Sequence, residues 1–161
     1  MKTWLAIWML LVSLPLLAEE ECIFDQEAQK ETHVELQKKY PGSRYIEEEY
    51  KLIIPKDGHQ IILKRGGCAH FGITIELRIA RTEEYEDEDI FFSKVLELVT
   101  EYGQELIDPK KLARTIKERR WQEIKQEEGT YYFLCSEAVT AFEVFRNHDR
   151  EHTTIHASFY Y

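Results

Sequence analysis

The chain has 161 residues and is acidic, with 30 Asp and Glu residues against 21 Lys and Arg residues and a formal net charge of −9. A chain of this length can form one domain with a sizeable core. The negative charge argues against nucleic acid and anionic membrane surfaces as binding partners, and it is compatible with a basic protein partner.

The first 18 residues have the pattern of a signal peptide. Lys2 supplies a positive charge, and residues 4–17 form a mostly apolar run that fits a signal-peptide core and is short for a membrane span. We predict cleavage after Ala18, which removes residues 1–18 and leaves residues 19–161 as a single domain; an uncleaved membrane anchor is the alternative. The signal is bacterial in style, so we expect a periplasmic or secreted protein with no membrane association after cleavage.

Three cysteines remain in the predicted mature chain, and an oxidising compartment favours a disulfide. Cys135 follows an apolar, strand-like run and is expected to be a buried thiol. Cys22 and Cys68 lie in polar or turn-like surroundings. We therefore predict a Cys22–Cys68 disulfide, with a Cys68–Cys135 disulfide as the alternative.

The first half of the mature chain is predicted to contain one helix and three strands. Apolar residues at every fourth position indicate a one-sided helix over 23–40. Strands are expected at 46–54 and 59–64, joined by a tight turn at Asp57-Gly58. The clearest alternation of apolar and polar residues, at 71–79, predicts a strand with one face in the core.

The second half is predicted to contain two helices and three strands. An apolar stripe over 91–106 predicts the first helix, and the second is expected to run from 108 to the glycine at 129. Strand-like runs follow at 130–135, 138–146 and 152–161. Strands grouped between helices favour an α+β fold, with antiparallel sheet and helices packed on one face.

The predicted element order is therefore α-βββ-αα-βββ, and its two halves, 22–82 and 86–161, resemble each other. Residues 61–65 and 142–146 both lead through a turn into an alternating strand. A degenerate tandem repeat is a hypothesis that this similarity suggests.

Six acidic residues are concentrated in the seven positions 83–89. Acids before a helix are favoured by its exposed N–H groups and its dipole, so the first interpretation is a solvated loop that caps a helix. The alternative is a contact surface for a basic partner, centred on Glu86, Asp87 and Glu88. A calcium loop is a third possibility, but the alternating ligands and turn glycine of such loops are absent from the sequence.

The other candidate contact is the stretch 66–72, which contains three glycines, a cysteine and a histidine. We interpret it as a tight, disulfide-anchored turn in which Gly66, Gly67 and His70 could contact a partner. Cys68 and His70 could also form a nucleophile–base pair. A structural disulfide is the preferred interpretation, because the predicted compartment is oxidising and other cysteines are present.

Three histidines, His148, His152 and His156, are spaced by four residues. Two of them fall on one predicted strand, about 13 Å apart at ~3.3 Å per residue, which is too far for one metal ion. A metal site would need His70 or an acid brought in by the fold. We predict no metal, no cofactor and no catalytic residues.

Aromatic residues are concentrated in the last strands. Alternation should bury about half of them. Ordinary core and edge packing is the preferred interpretation of the remainder, and a tyrosine-rich sheet face of the kind that protein interfaces favour is the alternative. The residues concerned are Tyr131, Tyr132, Phe145, Phe159, Tyr160 and Tyr161.

The sequence thus predicts an exported binding or inhibitory protein that is not an enzyme, for example an immunity protein against a cell-wall-targeting enzyme or toxin. The first alternative is a small periplasmic enzyme that uses Cys68 and His70 or a histidine-based metal site. The second is a structural envelope protein with no discrete site.

Overall fold

The computed structural model of the protein describes residues 26–66, 72–105, 107–127, 129–134 and 141–160. These residues form an α+β fold in which three helices accompany one antiparallel sheet, as the sequence predicts. The predicted signal peptide and all three cysteines lie outside the described residues.

The elements follow one another as a helix and four strands, then two helices and four more strands. The bounds are α1 Gln26–Lys39, β1 Arg44–Ile46, β2 Lys51–Lys56, β3 His59–Gly66, β4 Gly72–Ala80, α2 Glu88–Leu98, α3 Pro109–Lys117, β5 Trp121–Gln126, β6 Gly129–Leu134, β7 Ala141–His148 and β8 His152–Tyr160. A π-helical turn, Val99–Gly103, continues α2.

The eight strands form a single sheet in the order β1-β2-β3-β4-β8-β7-β6-β5. Its centre is the antiparallel pair β4–β8, in which Gly72 lies opposite Tyr160 and Ala80 lies opposite His152. The β2–β3 hairpin turns at Asp57 and Gly58, whose φ angles are 51° and 78°. Positive φ at both positions is what a two-residue hairpin turn of type I′ requires, so the predicted turn is confirmed.

The core lies between the helices and one face of the sheet, which we call the helix-covered face. On β4 this face carries Ile73, Ile75, Leu77 and Ile79, all buried. Gly103 packs closely over the sheet centre, since a Cβ atom there would lie 3.1 Å from side-chain atoms of both Ile75 and Phe159. The apolar side chains of β4, which the alternation predicted to face the core, therefore form the surface on which the helices pack.

Aromatic contacts attach α2 to the C-terminal half of the same face. The ring centroids of Phe92 and Trp121 lie 4.5 Å apart, and those of Phe91 and Tyr132 lie 5.4 Å apart. At the other end of the sheet, Leu36 of α1 is buried in the core.

The predicted second helix is too long, because α3 ends at Lys117 and residues 121–126 form strand β5. Ile124, which falls within the predicted helix, belongs to this strand. As an edge strand with four exposed polar residues, β5 lacks the alternation that would have identified it. With β1 as a further short strand, the observed order is α-ββββ-αα-ββββ instead of α-βββ-αα-βββ.

The strand order is symmetric about the centre of the sheet. Exchanging β1, β2, β3 and β4 with β5, β6, β7 and β8 gives the same order read from the opposite edge. Strands β3 and β7 have 8 residues each, and β4 and β8 have 9 each. Glu76 and His156, the central residues of β4 and β8, lie directly opposite each other. The tandem repeat stays a hypothesis, and this symmetric arrangement supports it.

Candidate functional site

The acidic residues that we considered as contacts for a partner all have partners within the chain. Asp87 is the N-cap of α2, and its Oδ1 accepts hydrogen bonds from the N–H groups of Asp89 (2.9 Å) and Ile90 (3.1 Å). The helix-capping interpretation of the acidic segment is therefore confirmed for this residue.

Glu86 is bound to the end of β7. Its Oε1 lies 2.6 Å from Nε2 of His148, and its Oε2 lies 3.4 Å from Nη2 of Arg146. The Arg146 side chain is buried, and its Nη1 donates a hydrogen bond to the carbonyl oxygen of Tyr85. These contacts attach the acidic segment to the sheet.

Glu88 also contacts the sheet. Its Oε1 accepts a hydrogen bond from the hydroxyl of Tyr132 (3.3 Å), and its Oε2 lies 3.7 Å from Nη1 of Arg119. Burial, more than the nearby carboxylates, raises the pKa of Tyr132 to about 12, so its hydroxyl remains a donor at neutral pH. The carboxylates of Glu86, Asp87 and Glu88 thus all have contacts within the fold, and a partner would have to compete with these contacts.

The glycine stretch is described only at its two ends. Gly66 is the last residue of β3 and lies opposite Gly72, the first residue of β4. Gly67, Cys68 and His70 lie outside the described residues, as does each predicted disulfide. The contacts proposed for this stretch, and the alternative of a Cys68–His70 nucleophile, remain predictions.

The structure separates the three evenly spaced histidines. His148 lies on the helix-covered face with Glu86, whereas His152 and His156 lie on the opposite face of the sheet, as the pairing of β7 with β8 shows. Nε2 of His156 is 2.7 Å from Oγ of Ser158. Within the described part of the chain, no group of three or more His, Cys, Asp or Glu residues could hold a metal ion.

A cavity of about 240 Å³ lies between the β2–β3 turn and the helices. Its lining combines apolar side chains with Asp57, His59 and two ion pairs, Lys56–Glu101 (2.6 Å) and Lys94–Glu97 (2.6 Å). Because each carboxylate of these ion pairs already has an ammonium partner, the four paired residues offer little net charge to a charged ligand.

The face of the sheet opposite the helices, which we call the second face, carries a row of side chains that are apolar or aromatic except for Glu76. The row runs across seven neighbouring strands and consists of Ile124, Tyr131, Phe145, His156, Glu76, Ile62 and Ile53. In its C-terminal half the rings touch. The ring centroids of Tyr131 and Phe145 are 4.9 Å apart and those of Phe145 and His156 are 4.5 Å apart.

Two further aromatic residues of this face are exposed. Phe133 and Tyr160 each keep 41% of their surface accessible. The predicted division of the aromatic residues is confirmed: Tyr132 and Phe159 are fully buried on the helix-covered face, whereas Tyr160 is on the second face. Tyr161 lies outside the described residues. The sequence reasoning missed Phe133 as a surface residue, although its spacing of two from Tyr131 predicts the same face.

His156 lies near the centre of the second face as a neutral side chain. Burial, with a smaller effect of the Lys64 charge, lowers its pKa to about 4. The aromatic cluster formed by Tyr131, Phe145 and His156 therefore carries no cationic imidazole at neutral pH.

None of the described helices is both long and apolar enough to cross a membrane. Comparison of the chain with models of known protein families, with curated proteins and with solved structures finds no match.

Proposed function

We propose that this protein is an exported binding or inhibitory protein that recognises a basic protein partner. The proposed contact is the C-terminal half of the second face. The observation that carries the proposal is the exposure of Phe133 and Tyr160, 41% each, on the same face as the Tyr131–Phe145 ring pair. Aromatic residues are enriched at the centres of protein interfaces, where their burial supplies much of the binding energy.

The ring geometry favours a protein partner over a sugar. Tyr131 and Phe145 are stacked, with 24° between the ring planes. Their faces are turned toward each other, so they are not free to stack on a pyranose ring. Stacked rings standing on the sheet present edges and apolar side surfaces, which suit the side chains of another protein.

Charge favours a basic partner. Within the proposed contact, Glu143 lies between Phe133 and Ser158 in the strand pairing of the second face. At its border, Glu76 of the neighbouring strand β4 lies opposite His156. Carboxylates placed among aromatic rings suit an Arg or Lys side chain, which can pair with the acid and contact a ring face. The net charge of −9 would also speed the encounter with a cationic protein.

The proposed contact is restricted to the C-terminal half of this face because the other half carries cations. Lys64 and Arg78 lie there, on β3 and β4. Export is supported by the apolar run at 4–17, and an immunity protein that blocks a secreted enzyme or toxin is one form of this function.

Site-specific photo-cross-linking tests the proposal. A photoreactive phenylalanine analogue is placed at Phe133 or at Tyr160 in cells that produce the chain naturally. Val34 of α1 is the control position, because it is equally exposed, at 41%. We expect the same basic protein to be cross-linked from positions 133 and 160 and not from 34. Equal cross-linking from position 34, an acidic partner, or cross-linking only to a second copy of this chain would contradict the proposal.

Binding to the purified cross-linked protein then tests the surface directly. Glu143→Lys should weaken the affinity about tenfold or more, which corresponds to about 1.4 kcal/mol. Glu83→Lys is the matched control, since it changes the net charge equally but lies in the acidic segment, away from the second face. If the two variants bind equally well, Glu143 is not part of the contact.

A further inference from the structure

Strand β5 leaves one edge of the sheet without a described partner strand. It comprises the six residues Trp121–Gln126 and pairs with β6 on one side. The outer side of such a strand presents backbone N–H and C=O groups that can pair with another strand. The opposite edge of the sheet is formed by β1, which has only three residues.

We propose that two copies of the chain associate through β5 as antiparallel strands, with Ile124 opposite Ile124 of the second copy. This inference is independent of the proposed function. In this register Glu123 lies opposite Lys125 of the other copy, and Gln122 lies opposite Gln126. Each of these pairs occurs twice because the arrangement has two-fold symmetry.

The side chains of β5 lie on the faces that this pairing needs. Glu123 is paired with Tyr132 of β6, so it lies on the helix-covered face, and Lys125, two residues along, lies on the same face. Ile124 is paired with Tyr131 and lies on the second face. Two strands paired in this register would therefore continue the sheet with both faces aligned.

The charges on β5 select this register over its neighbours. A shift of two residues in one direction places Glu123 opposite Glu123, and the same shift in the other direction places Lys125 opposite Lys125. Like charges directly opposite each other destabilise a strand pair. A shift of one residue would place the helix-covered face of one copy on the same side as the second face of the other copy.

The same charged groups are accessible for pairing. The Lys125 side chain is 78% exposed and the Glu123 side chain 35%, and their charged atoms lie 3.3 Å apart within one chain. Charged residues on an edge strand usually oppose association with other edges. A second copy of β5 is an exception, because its Glu123 would lie opposite Lys125 and the two charges would attract.

Charge reversal and charge exchange test this inference by sedimentation equilibrium of the purified chain. We expect wild type to dimerise, and E123K and K125E each to weaken dimerisation about tenfold or more, since each replaces two attractive cross-strand pairs by two repulsive ones. The double variant E123K/K125E should restore the affinity to within about threefold of wild type, because it exchanges the charges and keeps the composition. A monomeric wild type, single variants that dimerise normally, or a double variant as weak as the single ones would overturn the inference.

A disulfide test reports the register without relying on the charges. Ile124→Cys places two thiols at the two-fold axis, where opposed Cα atoms lie about 4.5–5.5 Å apart, within reach of a disulfide. Gln126→Cys is the control, because its two copies would be separated by several residues along the strands. Mild oxidation should link only the Ile124→Cys chains beyond the wild-type background, and equal linking of both variants would refute the register.

Discussion

Replacing Arg146 by methionine is expected to reduce the free energy of unfolding by about 1–3 kcal/mol. The Arg146 side chain is 7% exposed, and its guanidinium lies 5.3 Å from the ring centroid of Phe91. Methionine keeps most of the apolar stem, but it cannot donate the hydrogen bond to the Tyr85 carbonyl. A buried carbonyl group that loses its hydrogen-bond donor is left unsatisfied, and the full free energy of its desolvation is then lost from the stability of the fold.

Two features of the site limit this cost. Nε of Arg146 is buried without a hydrogen-bond partner among the described residues, so its removal offsets part of the loss. The ion pair with Glu86 contributes little, because the Glu86 side chain is 54% exposed and water screens the interaction. Glu86→Gln should therefore cost less than about 1 kcal/mol.

The two variants are compared by urea unfolding monitored by circular dichroism, and the free energy of unfolding is extrapolated to zero urea. In high salt the small effect of Glu86→Gln should decrease, whereas that of Arg146→Met should persist, because salt screens exposed charges and not a buried hydrogen bond. The reasoning is wrong if Arg146→Met is as stable as wild type, or if Glu86→Gln costs as much as Arg146→Met.

Two more predictions concern stability. The pKa of His156 is about 4 in the folded chain against an ordinary 6.5. The unfolded chain therefore binds a proton at higher pH than the folded chain, and the free energy of unfolding should fall as pH decreases from 6.5 to about 4. His156→Gln should remove this part of the loss when urea unfolding is measured across that range, and an unchanged pH profile would contradict the assignment. Gly129→Ala should destabilise the fold by more than about 2 kcal/mol, because its Cβ would overlap the carbonyl oxygen of Arg146. Gly58 has φ of 78° and no atom within 4 Å of an added Cβ, so Gly58→Ala should cost only about 1 kcal/mol. If the two variants have the same unfolding temperature, the backbone strain of a positive φ and not the overlap accounts for the loss.

Much of the candidate surface could be predicted from the sequence. The spacing of Tyr131 and Phe133 and the alternation in β8 assign side chains to the two faces of the sheet, because successive residues of a strand point in opposite directions. The capping role of Asp87 could be predicted too, since a cap depends only on the next three residues. What the sequence did not show is that Glu86 pairs with Arg146 and His148, about sixty residues away, which makes the acidic segment part of the fold.

The sequence by itself therefore determined the local features: the presence of a helix after the acidic segment, the turn at Asp57-Gly58 and the alternation of β4. Each follows from steric and hydrogen-bonding preferences of neighbouring residues, which act before any long-range contact forms. Only the tertiary structure decided that 121–126 is a strand, because its identity comes from pairing with β6 and not from its own polar sequence. The tertiary structure likewise joined β4 to β8 and so formed a single sheet, since the pairing of strands far apart in sequence depends on burying both against one shared layer of helices.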